Sequence, residues 1–174
     1  MTDPAPPTFD ALYREHIADV WRMLFALGVR EADLADACQE VFVVVLRRLP
    51  EFDGRAKVTT WLYAIALRVA SSFRRRAHNR REELVSEHSD QPSDDLVESA
   101  VDDRRALARV RDAIAQLDDD RRAAFVLFEL HEMTLKEVSE TLGCPLQTAY
   151  SRLVSARKFL AERAQRPARE GRSP

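Results

Sequence analysis

Between Glu82 and Asp103 the chain carries nine acidic residues and no lysine or arginine, directly after Arg68–Arg81, which carries six arginines and no acid. The acidic stretch has few large apolar side chains. It cannot bury enough surface to offset the entropy of ordering and reads as a solvated, flexible linker. One continuous core through the chain is thereby excluded, and whatever folds must fold on either side. The 174 residues then divide into two small parts, each with a modest core of its own. Such a linker has a relaxed span of roughly 25 Å. Its stretched reach is about 70 Å.

Both flanking parts have helical periodicity. From Phe9, apolar positions Leu12, Tyr13, Ile17, Val20, Leu24 and Leu27 recur at helix spacing and end near Gly28. A second helix from about Glu31 would place Leu34, Cys38, Val41, Phe42, Val45, Leu46 and Leu49 inward, with Pro50 ending it. A third would run from Val58 to Ala77 with Trp61, Leu62, Ile65, Val69 and Phe73 on one face. After the acidic run the period resumes at Leu107, Val110, Ile114 and Leu117. Asp118, Asp119 or Asp120 can cap the next helix, "RRAAFVLFELHE". Thr134 and Glu137 form a capping box, and Gly143 supplies a left-handed turn. Pro145 then opens a last helix whose Ala149, Leu153, Ala156 and Leu160 face a core. The expected organisation is all-α. A disordered tail at 1–8 precedes a helical domain at 9–81, and the linker occupies 82–103. A second helical domain containing a helix-turn-helix follows at 104–163, with another disordered tail at 164–174.

Several classes are disfavoured. Cys38 and Cys144 lie far apart in apolar surroundings, which suits a reduced, cytoplasmic protein better than a disulfide framework. No run of about 18 apolar residues exists to span a membrane, and "MTDPAPPTFD" lacks the basic and apolar regions of a signal peptide. His16, His78, His88 and His131 show no ligand spacing, and four isolated glycines make no phosphate loop. No catalytic residues, metal or cofactor are expected.

Three surfaces carry a functional signal. On the last helix Gln147, Thr148, Ser151, Arg152, Ser155 and Lys158 face away from the apolar stripe and suit base edges and phosphates of a major groove. From Leu146 to Arg172 there are seven basic residues against two acids. A basic-aromatic set, Arg55, Lys57, Trp61, Tyr63 and Arg68, precedes the arginines at Arg74–Arg76 and Arg80–Arg81. It suits phosphate contact and base stacking on single strands, although a tryptophan such as Trp61, taken alone, is more often core than base platform. On the second helix Asp36, Gln39, Glu40, Val43 and Arg47 form one stripe opposite the buried one. Val43 and Val44 there either widen the core or make a protein-binding face.

With these parts in place, the chain resembles a bacterial RNA polymerase sigma factor of the extracytoplasmic-function type. The resemblance lies in "DLADACQEVFVVVLRRLPEFDGRAKVTTWLYAIALRVASSFRRR" and in "IAQLDDDRRAAFVLFELHEMTLKEVSETLGCPLQTAYSRLVSARKFL", which occur in family order. It implies that Asp36, Gln39, Glu40, Val43 and Arg47 engage the clamp of the polymerase's largest subunit. It further implies that Arg55, Lys57, Thr60, Trp61, Tyr63, Arg68 and Arg75 bind and help melt the −10 element, with the loop around Gly54–Lys57 taking an unstacked base. Gln147, Thr148, Ser151, Arg152, Ser155 and Lys158 would enter the −35 major groove. Phe125 and Phe128 would meet the flap of the second-largest subunit, and an anti-sigma factor would regulate the whole. Where such proteins commonly have asparagine and an acid, this chain has Arg68 and Ser72.

The formal charge of −2 separates two readings. A stand-alone helix-turn-helix regulator draws most of its affinity from phosphate neutralisation and needs a basic surface. A polymerase subunit needs less, because its host enzyme supplies much of the grip. An enzyme using surface carboxylates lacks acids that converge by spacing, and a helical adaptor leaves the basic recognition-like helix unexplained.

Overall fold

The computed structural model describes residues 8–84 and 110–165, and among these every regular element is helical and none is a strand. The expected tail before Thr8, most of the expected linker and the end of the chain, at 1–7, 85–109 and 166–174, lie outside the described residues. Two compact units divide the chain, Met1–Asp102 and Asp103–Pro174.

In the first unit, helix α1 spans Phe9–Ala26, and the Thr8 side chain caps it by accepting from the Ala11 amide at 3.3 Å. Leu12, His16, Val20, Met23 and Leu24 are its buried positions. The helix closes at Leu27, and Gly28 turns the chain at φ 85°. A 3₁₀ turn, Glu31–Asp33, leads into α2, Leu34–Arg48, which buries Ala37, Cys38, Val41, Phe42 and Val45. Pro50 lies within a second 3₁₀ turn, Leu49–Glu51, where its missing amide costs no helix bond. Leu46, expected inward, is 55% exposed. It lies at the edge of the apolar arc, where a single residue's phase decides its side.

Helix α3, Val58–Leu84, packs against both α1 and α2 and continues beyond Ala77 through the first residues of the expected linker. Two partners cover two adjacent faces, so Leu62, Tyr63, Ile65, Ala66, Val69 and Ala70 are all buried. The Arg74 guanidinium donates to the Leu27 carbonyl at 2.5 Å, joining α3 to the carboxyl end of α1, where a cation is favoured. Tyr13 meets Phe42 edge-on with centroids 4.8 Å apart, and Phe9 stacks on Tyr13 at 6.1 Å.

The second unit opens with the described part of α4, residues 110–115, followed by α5, Asp119–Phe125. Asp118 is the residue that caps α5, accepting from the Arg121 amide at 2.9 Å. Partial burial pushes its carboxyl up. The Arg121 amide and side chain and the Asp120 amide outweigh that effect, and its pKa lies below the ordinary aspartate value. The expected single helix over "RRAAFVLFELHE" does not persist. It widens into a π-turn at Val126–Leu130, with His131 donating to the Val126 carbonyl at 3.2 Å and Met133 to Leu127 at 3.1 Å. Glu132 takes φ 52° to close this turn, and both Leu127 and Met133 are buried.

Arg122 is buried and holds three carbonyls, Ile114 through Nε at 3.1 Å, and Ala115 and Leu117 through Nη2 at 2.5 and 2.6 Å. These carbonyls lie at and just beyond the end of α4; Ile114 also accepts from the Leu117 amide at 3.1 Å, and Arg122 supplies a side-chain donor to all three. Helix α6, Leu135–Leu142, starts with both halves of the capping box: Glu137 donates to the Thr134 hydroxyl at 3.3 Å and accepts from the Thr134 amide at 2.8 Å. Gly143 at φ 61° ends it, with Cys144 donating to Ser139 at 3.1 Å and Gly143 to Glu140 at 3.2 Å. Helix α7, Leu146–Gln165, follows and docks through Ala149, Leu153 and Ala156 on α5 and α6.

Replacing Arg122 by leucine removes the side-chain donor that the Ile114, Ala115 and Leu117 carbonyls share and is expected to cost about 2–4 kcal/mol. Hydrogen exchange in increasing urea should show amides of 119–160 losing protection first, while those of 62–70 keep theirs. Unchanged protection in 119–160 would remove Arg122 from the account of that unit.

Candidate polymerase and nucleic-acid interfaces

On α2, Asp36, Gln39, Val43 and Arg47 are exposed and Glu40 is half-exposed. Leu46 joins them, so the stripe carries two outward apolar side chains among acid, amide and arginine. A helix that served only to solvate its unit would have little use for both. Leu46 was missed because it falls three residues after Val43, at the edge of the core arc. Glu40 is tied to α3 by an ion pair with Arg76 at 3.4 Å. Arg76 also donates to Ser72 at 3.0 Å and lies over the Phe73 ring at 4.7 Å. A groove of about 230 Å³ runs beside this pair, lined by Glu40, Val44, Arg48, Ile65, Arg68, Val69 and Ser72. Glu40, at the edge of the α2 stripe, and Arg68 on α3 therefore line one groove. Burial pushes the Cys38 thiol up, away from the reactive thiolate.

Around α3 the expected strand-binding residues separate into two groups. Arg55, Lys57, Arg68 and Arg75 are exposed, and Trp61 is half-buried against Phe52 with centroids 5.1 Å apart. The loop before α3 turns at Gly54, φ 71°, and the Asp53 carboxylate accepts from the Arg55 amide at 3.1 Å. Thr60 and Tyr63 are different: they are only 4% and 6% exposed. Their assignment to strand contact is corrected, since α1 and α2 together cover the face of α3 that carries them. Burial, followed by the nearby Asp19, pushes the Tyr63 phenol up, with Arg22 opposing. The Thr60 hydroxyl has no hydrogen-bond partner.

On α7, Gln147, Ser151 and Lys158 are exposed, and Thr148, Arg152 and Ser155 are half-buried. The Ser151 hydroxyl donates to the Thr148 carbonyl at 2.9 Å. Arg152 does not point freely outward; its guanidinium is paired with Asp120 on α5. Arg157 is similarly engaged, with Glu129 at 2.6 Å and over the Phe128 ring at 5.2 Å. Tyr150 and Val154, also outward, were not anticipated, although their four-residue spacing beside Gln147 and Ser151 was readable. Phe125 and Phe128 are half-buried, and Leu130 beside them is exposed. Among the described residues no cluster of histidine, cysteine or acids could hold a metal, and no helix is long and apolar enough to cross a membrane.

Residues 12–81 match the family model of sigma-70 region 2, and residues 107–160 match that of sigma-70 region 4. The sigma factor HrpL of Pseudomonas syringae pv. syringae is 32% identical over 169 residues, covering 93% of this chain and 92% of that protein. The extracytoplasmic-function sigma factor SigE of Mycolicibacterium smegmatis is 30% identical over 160 residues, covering 91% of this chain. The chain spans 62% of the length of that relative. The Bartonella quintana sigma factor RpoE, solved with the anti-sigma factor NepR, has a similar fold, with a TM-score of 0.67 at 17% identity over 91% of this chain and 98% of that one. The two regions, in this order on two helical units, define a sigma-70-type transcription initiation factor. This chain belongs to the extracytoplasmic-function group of that family.

Thr60→Val replaces the unpartnered hydroxyl by a methyl group. Thermal unfolding should show equal or greater stability, by up to about 1 kcal/mol, with promoter opening unchanged. A loss of opening by a stably folded Thr60→Val protein would return this residue to the strand-binding set.

Proposed function

We propose that the chain is the promoter-specificity subunit of RNA polymerase, binding the core enzyme through the first unit and promoter DNA through both. The observation that carries this reading is the outward stripe on α2, which combines Asp36, Gln39, Val43, Leu46 and Arg47 on one exposed face. Mixed acid, amide and aliphatic groups suit a protein surface better than a phosphate backbone. The clamp of the largest subunit is its partner in this reading, with Glu40 at its edge. Arg55, Lys57, Trp61, Arg68 and Arg75 then hold the −10 strand. A cationic loop and an accessible aromatic edge provide phosphate contact and stacking without duplex geometry. Gln147, Thr148, Ser151, Ser155 and Lys158 face the −35 major groove, and Arg152 orients α7 through Asp120. Phe125, Phe128 and Leu130 serve the flap of the second-largest subunit.

The role requires no catalysis by the chain itself, because the polymerase carries out the chemistry. An anti-sigma factor is the regulatory partner in this reading, supported by the NepR-bound relative of the same fold. The site of action is the cytoplasm, where core polymerase is found.

In-vitro transcription from a promoter pool should yield discrete start sites with core polymerase plus the chain and none with core alone. Val43→Arg together with Gln39→Ala should weaken core binding tenfold or more, by about 1.4 kcal/mol or above, with helical content intact. Undiminished core binding by that variant would remove α2 as the polymerase contact.

A further inference from the structure

Along α7, Leu146, Tyr150 and Val154 repeat every fourth residue and all face solvent; Tyr150 and Val154 are 49% and 42% exposed. Single exposed apolar residues are ordinary, but an aligned row on the outer face of a docked helix is not. Gln147 and Ser151 interleave with the row, and Lys158 lies one turn beyond Val154. The two nearest arginines are drawn aside, Arg152 to Asp120 and Arg157 to Glu129. The middle of the face is therefore uncharged, with cations at its rim and at the carboxyl end of the helix.

We propose that Tyr150 and Val154 are specificity-determining residues that read the 5-methyl groups of thymines in the upstream promoter element. The inference rests on the reading that α7 enters the −35 major groove. In that groove a base pair offers one apolar group, the thymine methyl. Phosphates would select cations at the centre of the face, and the centre has none. Gln147, beside Tyr150, matches the paired N6 and N7 groups of adenine, so the face recognises A·T pairs from both strands. Lys158, one turn beyond the row, supplies a complementarity to a polyanion that a purely protein-binding apolar row would not need.

The test uses holoenzyme assembled from the full chain and core polymerase, on a promoter selected by in-vitro transcription. Each thymine of the upstream element, on either strand, is replaced by uracil, which keeps pairing and removes only the methyl. Competition binding should show one or two positions at which uracil lowers affinity about fourfold, the effect of exposing one buried methyl group. At one of them the penalty should vanish in Val154→Ala, and at any neighbouring one in Tyr150→Ala. An upstream element without A·T pairs would overturn the proposal. So would a uracil series that binds uniformly while the upstream footprint persists, in which case α7 still occupies the groove. Uracil penalties of equal size in both variants would also overturn it. Absence of any upstream footprint would remove the −35 reading together with the proposal.

Discussion

Arg152 pairs with Asp120, and this contact between α7 and α5 sets the character of the surface proposed to meet promoter DNA. It turns a guanidinium that could have met a phosphate into a strut beside the buried Ala149, Leu153 and Ala156, which dock α7. Arg157 does the same one and a half turns later, held by Glu129 and the Phe128 ring. In the first unit Arg74 is committed to the Leu27 carbonyl and Arg76 to Glu40. Exposed pairs of this kind contribute about 0–1 kcal/mol each, so stability is not their main consequence. They orient helices, and they remove cations from the pool available to a polyanion.

That withdrawal fits a chain of formal charge −2 for which two nucleic-acid surfaces are proposed. Affinity for duplex DNA scales with the phosphates neutralised, and few free cations remain at the centre of α7. In the proposed arrangement Gln147, Ser151 and the apolar row discriminate base edges there, once another body holds the duplex in place. Polymerase is that body in this account, and the α2 stripe is where it attaches. Specificity and grip are thus assigned to different molecules.

Legibility in the sequence followed how local each determinant is. The capping box at Thr134 and Glu137 and the Gly143 turn depend on residues within one turn of each other, and both were readable directly. The outward α2 stripe was readable from spacing. Leu46 was not, since its side depends on how far α1 and α3 extend over α2. Thr60 and Tyr63 look like strand-binding residues beside Trp61, and only the covering of α3 by two helices shows them to be interior. The π-turn at Val126–Leu130 and the three-carbonyl cap by Arg122 likewise come from packing between elements. A run of arginines in a sequence says nothing about which are struts and which are free.

The most direct measurement is promoter affinity of the isolated chain against that of the chain with core polymerase, by fluorescence anisotropy at matched salt. The account predicts that the chain alone binds promoter and random duplex alike, weakly, with dissociation constants of about 10⁻⁴–10⁻⁶ M at physiological salt. Marked preference for promoter should emerge only with core polymerase present. A preference of about 10³-fold or more for promoter by the chain alone would contradict the separation of specificity from grip.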